Sequence, residues 1–155
     1  MATPIGIVEV FGDDAVIDHI TIHPRSSNPA MIAPPKSGAL AVAVEQLKGY
    51  FAGERQAFDL PLAPARTVRG GALRGAIASV AYGECATYGQ IAHANGSSSR
   101  AMGQACARNP FPIIIPCHRV TSSGNAAENY SGGDGAATKA WLNAHEARVA
   151  GKTLL

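Results

Sequence analysis

Ile113-Ile114-Ile115-Pro116-Cys117-His118-Arg119-Val120 is the stretch that decides how this chain is read. Three consecutive isoleucines predict a buried segment, the end of a core strand. Pro116 has no backbone N–H and a fixed φ, so a sheet ladder cannot readily run through it. A cysteine follows that rigid stop, at the mouth of a core, between a proline and two groups that favour a thiolate. Two readings stand side by side. A free cysteine is among the most buried residue types, which makes Cys117 an inert core residue. Cys-His-Arg after Ile-Ile-Ile-Pro points instead to a nucleophile.

The totals narrow the field. A chain of 155 residues can bury one sizeable core or two small lobes sharing an interface. With 46% apolar and 15% charged residues it has a globular composition. No apolar run is long enough for a membrane span, and Met1-Ala2-Thr3-Pro4 lacks the features of a secretory signal. Three cysteines without Cys-x-x-Cys spacing argue against a disulfide scaffold or a four-cysteine zinc site. A reducing, cytoplasmic setting and a monomer are expected. The net charge of +2 conceals an uneven distribution. Residues 66–119 carry six arginines against Glu84 alone, whereas residues 1–65 carry seven acids against four bases. A local arginine excess points weakly to a polyanionic partner; a solvated helix face explains it about as well.

Working outward, residues 5–10 and 15–22 are β-branched runs separated by Gly12-Asp13-Asp14, which predicts a hairpin. Residues 24–38 hold four prolines and read as loop. Leu40, Val44, Leu47 and Phe51 recur at helical spacing, so a helix is predicted over 39–51, ended by Gly53. Residues 56–66 form a linker. A second helix, over 67–81, carries Val68, Ala72, Leu73, Ala76, Ile77 and Val80 on one face, against the weak propensity of Gly70, Gly71 and Gly75. Thr87 predicts an N-cap for a short helix to Ala94, and Asn95-Gly96 its end. Ser97-Ser98-Ser99 predicts a further cap, and Arg100 to Arg108 a second helix. Such a pair is a helix-turn-helix signature, although ordinary helix packing gives the same pattern. The loop over 121–135 could cover a pocket. A last helix over 136–148 places Trp141, Leu142 and His145 on one side, beside Glu146.

Pro116-Cys117-His118-Arg119-Val120 resembles the active-site motif of the O6-alkylguanine-DNA alkyltransferases, the methylated-DNA–protein-cysteine methyltransferases. Thr87-Tyr88-Gly89-Gln90-Ile91-Ala92, Arg100-Ala101-Met102-Gly103, Arg108-Asn109-Pro110, Asn129-Tyr130-Ser131-Gly132-Gly133 and His145-Glu146 follow in family order. The resemblance covers residues 80 to 148 closely and the N-terminal part weakly. Residue pattern and resemblance together give an α/β (α+β) fold. Residues 1–62 would form a small N-terminal lobe of β-hairpin plus helix. Residues 66–155 would form a mostly helical, winged-helix-like lobe with a helix-turn-helix. The chain departs from the family where Phe-Gln and Val-Trp pairs are usual; Arg69-Gly70 and Leu73-Arg74 stand there, which questions the packing between lobes. The link over 96–100 is about two residues shorter than usual. Some relatives bind zinc through N-terminal cysteines; none precedes Cys85 here, so neither metal nor cofactor is expected.

The resemblance implies a reaction and a set of roles. An alkyl group on guanine O6 in double-stranded DNA, and possibly on thymine O4, would pass to Cys117 irreversibly, once per molecule. A thiolate suits that displacement because it is a soft, strong nucleophile. His118 is the adjacent base. Neighbouring side chains in an extended segment point to opposite faces, so His118 is expected to act through a water or a local turn, held by Glu146. The target lies inside the duplex and must be flipped out. Arg100 would fill the vacated stack, with Ala101 and Gly103 on the same helix against DNA. Tyr88 would press on the backbone and donate to the base. Asn109 would brace the helix against the active-site turn. Val120, through its carbonyl, and Tyr130, Ser131 and Gly132 would line the base pocket. Three alternatives stand beside this reading: a lesion-binding relative that accepts no alkyl group, a Cys-His-Glu hydrolase, and a helix-turn-helix regulator with a structural cysteine.

Overall fold

Alternation of apolar and polar residues in the N-terminal part produces the expected hairpin. In the computed structural model, which describes residues 1–122 and 129–151, β2 (Gly6–Gly12) pairs antiparallel with β3 (Ile17–Ile22). Val8, Ile17, Ile20 and Ile22 are buried. A register shift between Phe11 and Gly12 opens the turn. There Asp13 Oδ1 accepts from the Ala15 and Val16 N–H groups, each at 2.8 Å, the local side-chain bonding that makes aspartate a turn residue. A short strand the sequence does not predict, β1 (Ala2–Thr3), completes a three-stranded sheet on the other edge of β2.

Helix α1 (Ala39–Phe51) has the predicted bounds and packs on this sheet. Its buried face is turned from the expected one. Ala39, Ala43, Leu47 and Tyr50 are buried, whereas Leu40, Val44 and Phe51 are half-buried. The two alanines allow the helix to approach the strands closely, which the larger side chains would prevent. Gly53 follows with φ 77°. The linker is fixed rather than loose. Gln46 donates to the Asp59 carbonyl and accepts from the Asp59 N–H, both at 2.9 Å, and Leu62 bridges to Ile17.

Helix α2 (Val68–Ala78) begins at the Thr67 cap, whose hydroxyl accepts from the Gly70 N–H. It is shorter than predicted, and Val68 is 93% exposed; the buried side is carried by Ala76 and Ile77. Arg74 occupies the position that questioned inter-lobe packing. Its guanidinium donates to the Ala63 carbonyl at 2.9 Å and lies 5.2 Å from the Phe111 ring centroid. It therefore ties the linker to the segment leading to Cys117.

Two-residue strands β4 (Ala86–Thr87) and β5 (Val120–Thr121) pair in parallel, a contact no local pattern signals. Between them, α3 (Tyr88–Ala94) and α4 (Ser99–Ala107) pack as the expected helix pair. Thr87 and Gln90 form a complete capping box on α3, and Ser98 caps α4. Gly96 takes φ 61° in the turn between them. Helix α5 (Ala136–Val149) closes the fold. Of the predicted pocket-covering loop, residues 123–128 lie outside the described residues. Among the described residues no helix is long and apolar enough to cross a membrane.

The isoleucine segment is buried at Ile113 and Ile115, but it is not a strand. Pro110, Pro112 and Pro116 remove ladder donors at close intervals. The chain coils instead, with the Ile115 N–H donating to the Phe111 carbonyl at 2.9 Å. Ile113 adopts φ 77°, a conformation that costs a β-branched residue about 1–3 kcal/mol. Losing a buried isoleucine side chain costs about 2–5 kcal/mol, so burial outweighs the strain. Buried residues from β2, β3 and all five helices join one apolar cluster.

Candidate active site and nucleic-acid interface

Pro116 sets the geometry of the site. With φ −81° and ψ 63° it is the centre of an inverse γ-turn, and the Cys117 N–H donates to the Ile115 carbonyl at 2.8 Å. The chain then makes one 3-10 turn, Cys117–Arg119, before β5. A local turn, one of the two alternatives the sequence leaves open for His118, thus stands where an extended segment would have turned neighbouring side chains apart. Cys117 is 5% exposed. The Asn109 amide donates both to the Ile115 carbonyl at 2.8 Å and to Cys117 Sγ at 3.2 Å, while its oxygen accepts from the Phe111 N–H. Asn109, just after α4, thus joins that helix to the cysteine turn.

Behind Cys117 lies a buried network centred on Glu146. Its Oε2 accepts from His118 Nε2 and Tyr50 Oη, each at 2.7 Å, and from Arg119 Nη2 at 3.1 Å. Its Oε1 accepts from Arg119 Nε at 2.7 Å and from the Gly83 N–H at 3.2 Å. Burial raises the proton affinity of this carboxyl, but the bonds and charges of His118 and Arg119 outweigh it and hold the group well below the usual carboxylate range. A carboxylate accepting several hydrogen bonds behaves in this way. His118 is fully buried, and desolvation lowers its pKa despite Glu146. Burial thus favours the neutral imidazole, whose Nε2 proton donates to the Glu146 carboxylate. Nδ1 then carries the lone pair, and it has no hydrogen-bond partner among the described residues. Burial raises the Cys117 pKa, opposed by the Asn109 bond and Lys139. At rest the site holds a thiol beside a neutral base.

Three residues spaced four and three apart on α5 grip the turn. Lys139 Nζ donates to the Val120 carbonyl at 2.7 Å, Asn143 Nδ2 to the His118 carbonyl at 2.8 Å, and Glu146 receives His118 and Arg119. That spacing puts all three on one helix face; it was the sequence signal for Lys139 and Asn143, which the motif reading missed. Arg119, read in the sequence as a group favouring the thiolate, turns to Glu146 instead. It is buried, donates to the Val80 carbonyl at 2.7 Å and lies over the Tyr82 ring. Tyr50 had no local signal, since it reaches Glu146 from the other end of the chain.

The remaining predicted residues fall around this centre. Tyr88 begins α3, and the Lys139 ammonium is 5.9 Å from its ring centroid. The Val120 carbonyl already accepts from Lys139; a carbonyl oxygen has a second lone pair. Tyr130 keeps its hydroxyl buried and without a hydrogen bond among the described residues, and desolvation raises its pKa far above normal, with Cys117 next in effect. Ser131 is exposed. Gly132 sits where an added Cβ would meet Ile22 and Tyr130 at 3.1 Å, and the Gly133 N–H donates to the Ile22 carbonyl at 2.9 Å. Arg100 is exposed at the start of α4, Ala101 is half-buried, and a Cβ on Gly103 would meet open space. Among the described residues no group of three or more His, Cys, Asp or Glu side chains could hold a metal ion.

This arrangement has known counterparts. The DNA-binding domain of 6-O-methylguanine DNA methyltransferase matches residues 72–148. A methylated-DNA–protein-cysteine methyltransferase of Mycobacterium leprae is 36% identical over 136 residues, 86% of this chain and 82% of that protein. This chain belongs to that family. One of Bacillus subtilis, described as constitutive, is 45% identical over 95 residues, 60% of this chain and 58% of its own. The crystal structure of Mycobacterium tuberculosis OGT in complex with DNA superposes with a TM-score of 0.80 at 33% identity, covering 96% of this chain and 91% of that one. Family membership gives the α+β architecture and the helix pair a common origin with a protein solved on DNA.

Proposed function

We propose that this protein repairs alkylated DNA by taking the alkyl group of O6-alkylguanine onto Cys117, irreversibly and once per molecule. The observation that carries this reading is the hydrogen-bonded order Asn109–Cys117 and His118–Glu146 directly behind a helix-turn-helix. Family membership supports it independently. Residues 66–155 would supply DNA binding and the acceptor, and residues 1–62 would buttress them.

In this mechanism His118 Nδ1 takes the Cys117 proton through an intervening water, and Glu146 balances the imidazolium that forms. The thiolate attacks the alkyl carbon. An S–C bond forms, the C–O6 bond breaks, and its electron pair remains on the guanine, which recovers a proton. Tyr88 is suited to deliver that proton to the extruded base. Arg100, at the exposed start of α4, would occupy the gap in the stack, while Ala101 and Gly103 present small side chains on which a duplex groove can lie closely. The Val120 carbonyl, Tyr130, Ser131 and Gly132 would contact the flipped base. Acceptance of O4-alkylthymine would use the same displacement. The thioether product is uncharged and a poor leaving group, which accounts for the single turnover.

Duplex DNA carrying O6-methylguanine with a labelled methyl group tests this. The tryptic peptide holding Cys117 should gain one methyl group per protein, and Cys117→Ser should gain none. Label retained by the serine variant, or more than one turnover, would sink the assignment.

A further inference from the structure

A second basic feature lies away from Cys117. A cleft of about 800 Å³ separates α2 from α4, and Arg66, Arg69, Arg74 and Arg108 line it. Asp18 is the one acid among the described lining residues, and it is paired with His19 at 2.7 Å. Arg74 is engaged by Ala63 and Phe111. Arg66, Arg69 and Arg108 are exposed, and their guanidiniums have no hydrogen bond or ion pair among the described residues. Three uncompensated guanidiniums around one concavity repel each other, and a concave wall concentrates their field. An anion there removes the repulsion, and the planar fork of arginine matches phosphate oxygens in pairs.

We propose that this cleft is a phosphate-binding track for the DNA backbone, flanking the place where the lesion is read; this rests on the function proposed above. Three observations select DNA as the occupant. The cleft is continuous with the reading helix, because Ala101, Gln104 and Ala105 of α4 and Arg108, its C-cap residue, all line it. Ala101 thus belongs both to the cleft and to the end of α4 that begins with Arg100. Small residues, Gly70 and Ala105 among them, line its wall. Finally, Arg66 and Arg69 flank the first turn of α2, whose outward N–H groups add partial positive charge.

The test compares the wild-type protein with an Arg66→Gln/Arg69→Gln/Arg108→Gln triple variant and the corresponding triple lysine variant. Binding to an unmodified fluorescent duplex is titrated across a salt series. Each phosphate neutralised contributes about 0.9 to the slope of log K against log salt, so the glutamine variant should have a slope shallower by about 2–3 and the lysine variant should recover it. Arg66→Gln alone should lose about 0.9 of slope, which keeps the test open if the triple variant is poorly folded. An unchanged slope in the glutamine variants overturns the track, as does a lysine variant as shallow as the glutamine one. An acidic peptide that the duplex cannot displace from the cleft would also overturn it, assigning the cleft to a protein partner. Methyl transfer by the wild type on the lesion-bearing duplex is followed in parallel. Transfer with an unchanged slope rejects only the track, whereas no transfer rejects the function beneath it.

Discussion

At the scale of single residues, His118 is tuned by burial rather than by its neighbour in sequence. Desolvation pulls its pKa below the ordinary 6.5, which favours the neutral imidazole. The acid limb of alkyl transfer should therefore be centred below pH 6.5. A single-turnover pH–rate profile checks this; an acid limb centred above 6.5 would contradict it. Tyr50 is the residue whose role the fold alone reveals. Its hydroxyl bonds Glu146, its carbonyl accepts from His145 Nε2 at 2.8 Å, and its ring packs on Phe51, Phe58 and Tyr82. Tyr50→Phe keeps the ring and removes one donor to a buried carboxylate. A hydrogen bond to a charged group contributes about 1.5–3 kcal/mol, so denaturant unfolding should show a loss of that size, with slower transfer because Glu146 holds His118 less firmly.

At the scale of elements, the short helices α3 and α4 depend on their ends. Helix α3 has seven residues, too few to be stable by propensity alone. Its reciprocal cap, with Thr87 Oγ1 accepting from the Gln90 N–H at 3.1 Å and Gln90 Oε1 from the Thr87 N–H at 2.9 Å, compensates. Thr87→Ala should cost about 1 kcal/mol, readable by chemical denaturation. Its effect on duplex binding should exceed what the stability loss accounts for, since α3 supports α4. The 3-10 turn of Cys117–Arg119 is a different kind of element. It has no side-chain cap and is held from α5 by Lys139, Asn143 and Glu146. Its precision is borrowed from a helix that follows it in the chain.

At the scale of the whole molecule, the active-site network also joins the two ends of the chain. Glu146 has a folded pKa far below its ordinary 4.5, so it stabilises the fold fully above about that pH and progressively less as pH falls toward the folded value. His118, buried and neutral, acts in the same direction, because below its ordinary 6.5 the unfolded chain binds the proton more readily. The melting temperature should thus fall steadily from pH 7 to pH 4 and below. Glu146→Gln should flatten the steepest, most acidic part while lowering stability at pH 7 by about 3–5 kcal/mol, since it leaves Arg119 buried without its partner. An acid limb of equal steepness in the variant would show that other groups govern it.

The sequence by itself determined the local features and singled out Cys117 as the candidate acceptor. The hairpin, α1, the caps at Thr87 and near Ser98, and the cysteine after a rigid proline are each written in contiguous residues, through periodicity, turn chemistry and side-chain hydrogen bonding. It could not show that the three isoleucines coil, because apolar runs look alike in strands and in buried turns until the proline-depleted ladder is placed in three dimensions. Nor could it show the rotated face of α1, where alanines win by close approach. The parallel pairing of Ala86 with Val120, the convergence of Tyr50, Arg119 and His118 on one carboxylate, and the arginine cleft join residues distant in the chain. Only tertiary structure decided those. Contacts of that kind gain their energy from burial and from charges sharing a site without water, and neither leaves a periodic trace in the local sequence.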